Sequence, residues 1–177
     1  MKYILRIILF FPVLLAVGLH AAVLTLRYGG DFRTGKIQVK FKKMHPSAKM
    51  PSQGNANDAG FDLTAISAQW SEDGTYLEYG TGLAIEIPVG YVGYIFQRSS
   101  VSRVQQSLSN AVGVIDSGYA GEILFRYRDC KEVLKRYAAG DKIGQIIIMP
   151  IPKVEFVEVA ELSKSDRGTN GFGSTGN

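Results

Sequence analysis

The chain is poor in the residues from which most disulfide frameworks, metal centres and nucleophilic relays are built. Its single cysteine, Cys130, excludes an internal disulfide and any cysteine-rich metal site, and makes a reducing compartment the default. Only two histidines are present. His20 lies in an apolar N-terminal run and His45 just ahead of the expected body, so neither a histidine-based zinc site nor a serine–histidine relay is expected. Any general base in the body must then be a carboxylate, and any cation must be held by oxygen ligands and phosphate. Helical periodicity is also scarce: only residues 100–108 and 131–139 have room for a short helix, and no internal repeat is present. The net charge of +4 leaves little for a nucleic-acid footprint, because much of the excess sits in one stretch at Arg33, Lys36, Lys40, Lys42 and Lys43.

What the sequence does have is enough length, at 177 residues with 46% hydrophobic and 20% charged, for one globular domain with a sizeable core. Residues 7–26 are almost wholly apolar and long enough to span a bilayer. Residues 1–28 therefore read as a membrane anchor, with a signal peptide or a spurious upstream extension as rivals. Arg27, Arg33, Lys36, Lys40, Lys42 and Lys43 outnumber Lys2 and Arg6, and this bias keeps the C-terminal body cytoplasmic. Residues 29–36 read as a flexible linker, and alternation at Ile37, Val39 and Phe41 opens the body, residues 37–165. Strand-like runs follow at 61–65, 76–87, 91–97, 122–128, 143–149 and 154–159, separated by Gly, Pro, Asn and Asp. That spacing predicts an all-β jelly roll or sandwich. Residues 166–177 are Gly-rich, without a core-facing pattern, and are expected to be mobile until something binds them.

Three segments carry candidate chemistry. Arg98-Ser99-Ser100 sets a charged fork beside two hydroxyls, which suits a polyphosphate, although a surface turn or helix cap would read the same way. Asn110-Ala111-Val112-Gly113-Val114-Ile115-Asp116-Ser117-Gly118-Tyr119 ends an apolar run on a carboxylate. Burial beside a cleft would tune Asp116 as a base, and the Asn110 amide can read a base edge; the alternative is an ordinary hairpin turn. The tail, with Arg167, Phe172, Gly173, Ser174 and Thr175, has the parts of a phosphate cradle: backbone N–H groups, hydroxyls, one cation and one ring to stack.

Taken in order, Asp58-Ala59-Gly60-Phe61-Asp62-Leu63-Thr64-Ala65, Arg98-Ser99-Ser100, Asn110 through Gly121, Gly140-Asp141-Lys142-Ile143-Gly144-Gln145, and Arg167 through Gly176 resemble the five motifs of the dUTPase family. The resemblance covers the body from about Ile37 onward. It implies a distorted jelly-roll β-barrel, with the apolar N-terminal helix outside it, and a homotrimer whose active sites lie between subunits under a neighbour's tail. The substrate would be dUTP, hydrolysed to dUMP and pyrophosphate. By this likeness Asp116 is the base that orients a water, Ser99 stands near the leaving oxygen, and Arg98, Ser100, Gln145 and Arg167 meet phosphate. Ser174, Thr175 and Gly173 complete the cap. Asn110, with the backbone of Gly113, Val114 and Ile115, would read uracil; Tyr119 would pack beneath deoxyribose and Phe172 over the base. Mg²⁺ would ride on the triphosphate, with Asp62 reaching it through water. One departure is Ser100, where many family members have Gly. It brings in dCTP deaminases, which share the fold, but the position of their catalytic glutamate falls on Arg126. A third reading is a nucleotide-gated regulatory binding protein.

Overall fold

The computed structural model describes residues 30–31, 36–130 and 135–170. The apolar run 7–26 and the tail residues Phe172, Gly173, Ser174 and Thr175 lie outside them. Among the described residues no helix is long and apolar enough to cross a membrane.

Alternation decides the architecture. In β6 (Leu77–Glu86) the side chains of Leu77, Tyr79, Thr81, Leu83 and Ile85 are buried, and in β10 (Glu122–Asp129) Ile123, Phe125 and Tyr127 are buried between more exposed neighbours. These two strands pair antiparallel at the centre of a five-stranded sheet. β3 (Lys40–Lys43) and β5 (Ser67–Trp70) pair with the two halves of β6, and β8 (Gln106–Leu108) closes the other edge on β10. The second sheet runs β4 (Phe61–Thr64), β11 (Lys142–Pro150), β7 (Tyr91–Phe96), β9 (Gly113–Ile115), again antiparallel throughout. The core includes Leu63, Tyr79, Leu83, Ile123, Phe125, Tyr127, Ile143 and Ile146, drawn from both sheets. The fold is therefore the expected all-β jelly roll. Within the stretch read as a linker, β1 (Gly30–Asp31) pairs with β2 (Lys36–Ile37).

Three tyrosines occupy the centre. The Tyr79 and Tyr127 rings meet edge to face at 5.7 Å, and Tyr137 packs on both at 6.1 and 5.6 Å. Their polar ends are satisfied inside: the Tyr127 hydroxyl donates to the Ile143 carbonyl at 2.6 Å, and that of Tyr79 reaches the Gln106 side-chain oxygen at 3.1 Å.

Several expectations change in the folded chain. Residues 100–108 are not one helix: a 3-10 turn (Ser99–Arg103) is stopped at Gln105, whose φ is +49°, and β8 follows because Gln106 and Leu108 are drawn into the core. Residues 135–139 are not helical, and Tyr137 is buried there; 131–134 lie outside the described residues. The run 154–159 forms no ladder among the described residues and stays exposed, Phe156 at 97%, because no strand edge of its own chain meets it. β5, β8 and β9 have three or four residues each, too few to show a period in the sequence.

Candidate active site

The second sheet brings three of the singled-out segments to one end. Asp62 on β4 lies opposite Gln145 on β11, which lies in turn opposite Phe96 at the end of β7. Two residues beyond Phe96, Arg98 is extended (φ −83°, ψ 157°) and opens the 3-10 turn that carries Ser99 and Ser100. Its Nε donates to Asp62 Oδ1 at 2.8 Å, and a second guanidinium nitrogen reaches Ser100 Oγ at 3.4 Å. Ser100 Oγ lies in turn 3.5 Å from the Tyr137 hydroxyl. Lys142 Nζ donates to the other carboxylate oxygen, Asp62 Oδ2, at 2.9 Å. The Gln145 amide donates to the Gln97 carbonyl at 3.3 Å. A Cβ on Gly60 would overlap that amide, which is why a glycine precedes Phe61-Asp62. Arg98, Ser100, Lys142, Gln145 and Asp62 thus lie at one end of the sheet, beside the turn that carries Ser99, with cations and donors suited to phosphate oxygens.

The segment after β8 forms a separate cleft of about 490 Å³, lined by Asn110, Val114, Ile115, Asp116 and Tyr119 and floored by β10. The backbone turns sharply here, with Ala111 at φ +57°, and Gly113 is required because a Cβ would run into Ile95 across the β7–β9 ladder. The Tyr119 hydroxyl donates to the Glu122 carbonyl at 2.9 Å, fixing the ring at the cleft. Asp116 begins the turn that follows β9, and its carbonyl accepts from Tyr119 N–H at 3.1 Å. Its side chain is exposed in the single chain, not buried as the apolar run before it suggested. The reason is that β9 stops at Ile115 and the turn projects past the sheet edge. Ser109, at the same cleft, was not singled out by sequence. Its Oγ is buried and has no hydrogen-bond partner among the described residues, which costs about 1–3 kcal/mol.

The two groups are not together in one chain. Ile115 lies opposite Gly93, three residues along β7 from Phe96, so Asp116 stands at least ~10 Å along the sheet from the level of Gln145. Arg167 belongs to neither: it is exposed and its Nε donates to the Asn170 carbonyl at 3.1 Å. At the deaminase position, the Arg126 guanidinium pairs with Glu78 at 2.8 Å and sits 4.8 Å over the Tyr76 ring, so that spot carries a cation committed to structure. As for metal, no group of three or more His, Cys, Asp or Glu is assembled among the described residues. A cation that arrives with its phosphates and meets Asp62 through water fits this donor set.

The dUTPase family model matches residues 46–176, which includes all of these segments. The chain belongs to the dUTPase family. Among curated relatives, it is 37% identical over 145 residues to the deoxyuridine 5′-triphosphate nucleotidohydrolase of Streptomyces griseus subsp. griseus, covering 80% of this chain and 82% of that one. Among solved structures it resembles a mutant of the Staphylococcus bacteriophage 80alpha dUTPase with dUpNHpp, at 27% identity and a TM-score of 0.69, over 80% of this chain and 100% of that one. It also resembles a mutant dUTPase from phage phi11 of S. aureus, described for its coordination of a structural Mg(II) ion, at 25% identity and a TM-score of 0.57, over 70% of this chain and 97% of that one.

Proposed function

We infer that this dUTPase-family chain hydrolyses dUTP to dUMP and pyrophosphate, which keeps uracil out of DNA and supplies dUMP for dTMP synthesis. The observation that carries the reading is the cleft in which Asn110, Asp116 and Tyr119 converge, within a chain matched to the family from residue 46 to 176. A water oxygen attacks the α-phosphorus, its proton passes to the Asp116 carboxylate, and the bond from that phosphorus to the bridging oxygen breaks to release pyrophosphate. Ser99 donates to the leaving oxygen, while Arg98, Ser100 and Gln145 hold the remaining phosphate oxygens and Arg167 arrives with the tail. Mg²⁺ bound with the triphosphate supplies charge neutralisation there. Asn110 and the Gly113–Ile115 backbone pair with uracil, and Tyr119 presents a flat ring to the sugar, where a 2′-hydroxyl would both clash and lack a partner. Phe172 stacks over the base, and Gly173, Ser174 and Thr175 close on the phosphates.

The active unit is a homotrimer. Its support is the separation of Asp116 from Arg98 and Gln145 within one chain, since a site shared across an interface needs no such reach. Exposed apolar surface supports it further. Val154, Phe156, Val157, Val159 and Leu162 are all more than half exposed, and an apolar groove of about 370 Å³ that includes Phe41, Phe61 and Ile148 stands open. The positive charges after residue 26 support a body on the cytoplasmic side of a membrane tether, and fractionation of a C-terminally tagged full-length chain tests it; a purely soluble product removes the tether. The function is tested by incubating the protein with each dNTP and Mg²⁺ and measuring pyrophosphate and ammonia. Pyrophosphate from dUTP alone is expected. Ammonia from dCTP, or intact dUTP, overturns the reading.

A further inference from the structure

Asp62 is the only acidic residue in the buried class among the described residues, at 9% exposure, and both of its oxygens are taken. Arg98 holds Oδ1 and Lys142 holds Oδ2. Lys142 reaches it because of a flaw in the ladder. Gln145 faces Asp62 and Gly144 faces Leu63, but Lys142 faces Thr64, so Ile143 is an extra residue in β11. In an unbroken ladder Lys142 would stand one step further along and point with Leu63 into the core. The bulge turns it to the Asp62 face, and sends Ile143 inward, where it is fully buried. The Phe125 ring packs so closely on Gly144 that no Cβ fits there, which fixes the bulge in place.

The two cations are not equivalent. Arg98 is anchored a second time on Ser100, whereas Lys142, among the described residues, makes a single polar contact on a flexible stem, and its side chain is 44% exposed. We propose that Lys142 and the Mg²⁺ carried by the nucleotide are alternative occupants of Asp62 Oδ2. The ammonium is then a positioning group that keeps the carboxylate, and through it Arg98, in order when metal is absent, and it yields to the water shell of the metal when metal is present. A hydrated Mg²⁺ needs an acceptor oxygen for its waters, and Oδ2 is the one held by the weaker arm. The inference rests on the dUTP reading above.

Binding of dUpNHpp, measured calorimetrically in Mg²⁺ and in EDTA, tests it without turnover. Lys142→Met is expected to weaken binding about tenfold in EDTA, the scale of one lost charge contact, and less than about threefold in Mg²⁺. Lys142→Arg is expected to recover the EDTA value, which also separates the effect from misfolding of the Met variant. Equal losses in both buffers, or no loss in EDTA, overturn the exchange. A wild-type protein that bound no dUpNHpp would overturn the dUTP reading, and this inference with it.

Discussion

Asp116 and Tyr119 stand within one turn of each other, but they are asked to do different things, and single substitutions separate them. Asp116→Asn keeps size and hydrogen bonding but cannot take the proton from water. We expect near-normal dUpNHpp binding with kcat lower by about a hundredfold or more; a retained rate would end its role as base. Tyr119→Ala removes the ring at the cleft and the hydroxyl bond to Glu122, and UTP should then be hydrolysed measurably. Unchanged discrimination between dUTP and UTP would place sugar selection elsewhere. At this scale the sequence was informative about chemical type. The scarcity of His and Cys pointed to a carboxylate for the proposed base, and Arg98, Asn110 and Asp116 stood out by residue type and setting. It gave Lys142 no role beyond its place in a motif and did not single out Ser109, because the first depends on a bulge and the second on the burial of one oxygen atom.

The elements that support the site meet at the tyrosine cluster of β6, β10 and the segment before β11. Burial pushes the Tyr79 phenol above the ordinary tyrosine value and that of Tyr127 well above it. A group whose folded value is raised contributes stability that is fully present below its unfolded value, about 10, and is lost as pH rises through the folded one. Alkaline unfolding is therefore expected, with part of the tyrosinate absorbance rising in step with loss of circular dichroism. Absorbance that is complete while the fold persists would contradict the burial. Gly144→Ala should be poorly tolerated for a steric reason, since its Cβ would overlap the Phe125 ring; we expect a loss of about 1–3 kcal/mol in urea unfolding. Strand existence was legible in the longer runs that became β6, β7, β10 and β11, but run length alone did not decide it, since the equally strand-like run 154–159 meets no strand edge of its own chain. It was not legible in β9, whose three residues form a strand only because β7 offers a free edge.

For the whole molecule, the decisive prediction is that the site is shared. Arg98→Ala and Asp116→Asn chains, each inactive alone, should regain dUTPase activity when co-expressed, because a mixed trimer contains interfaces that join an intact Asp116 to an intact Arg98. No recovery from well-assembled mixtures would show that each chain builds its own site. Phe156→Asp should lower the assembled mass in sedimentation and reduce turnover with it, since that ring is 97% exposed in the single chain.

The sequence alone determined the fold class, through the alternation of β6 and β10 and the turn residues between strands, and the chemical repertoire, through which residue types are absent. Those are local properties, carried by composition and by a two-residue period. Tertiary structure alone decided which groups meet. Register set Asp62 against Gln145, one extra residue swung Lys142 onto the carboxylate, and the end of β9 left Asp116 in solvent. Contacts between residues about eighty positions apart depend on a ladder that a single inserted residue reverses, and no local pattern encodes that.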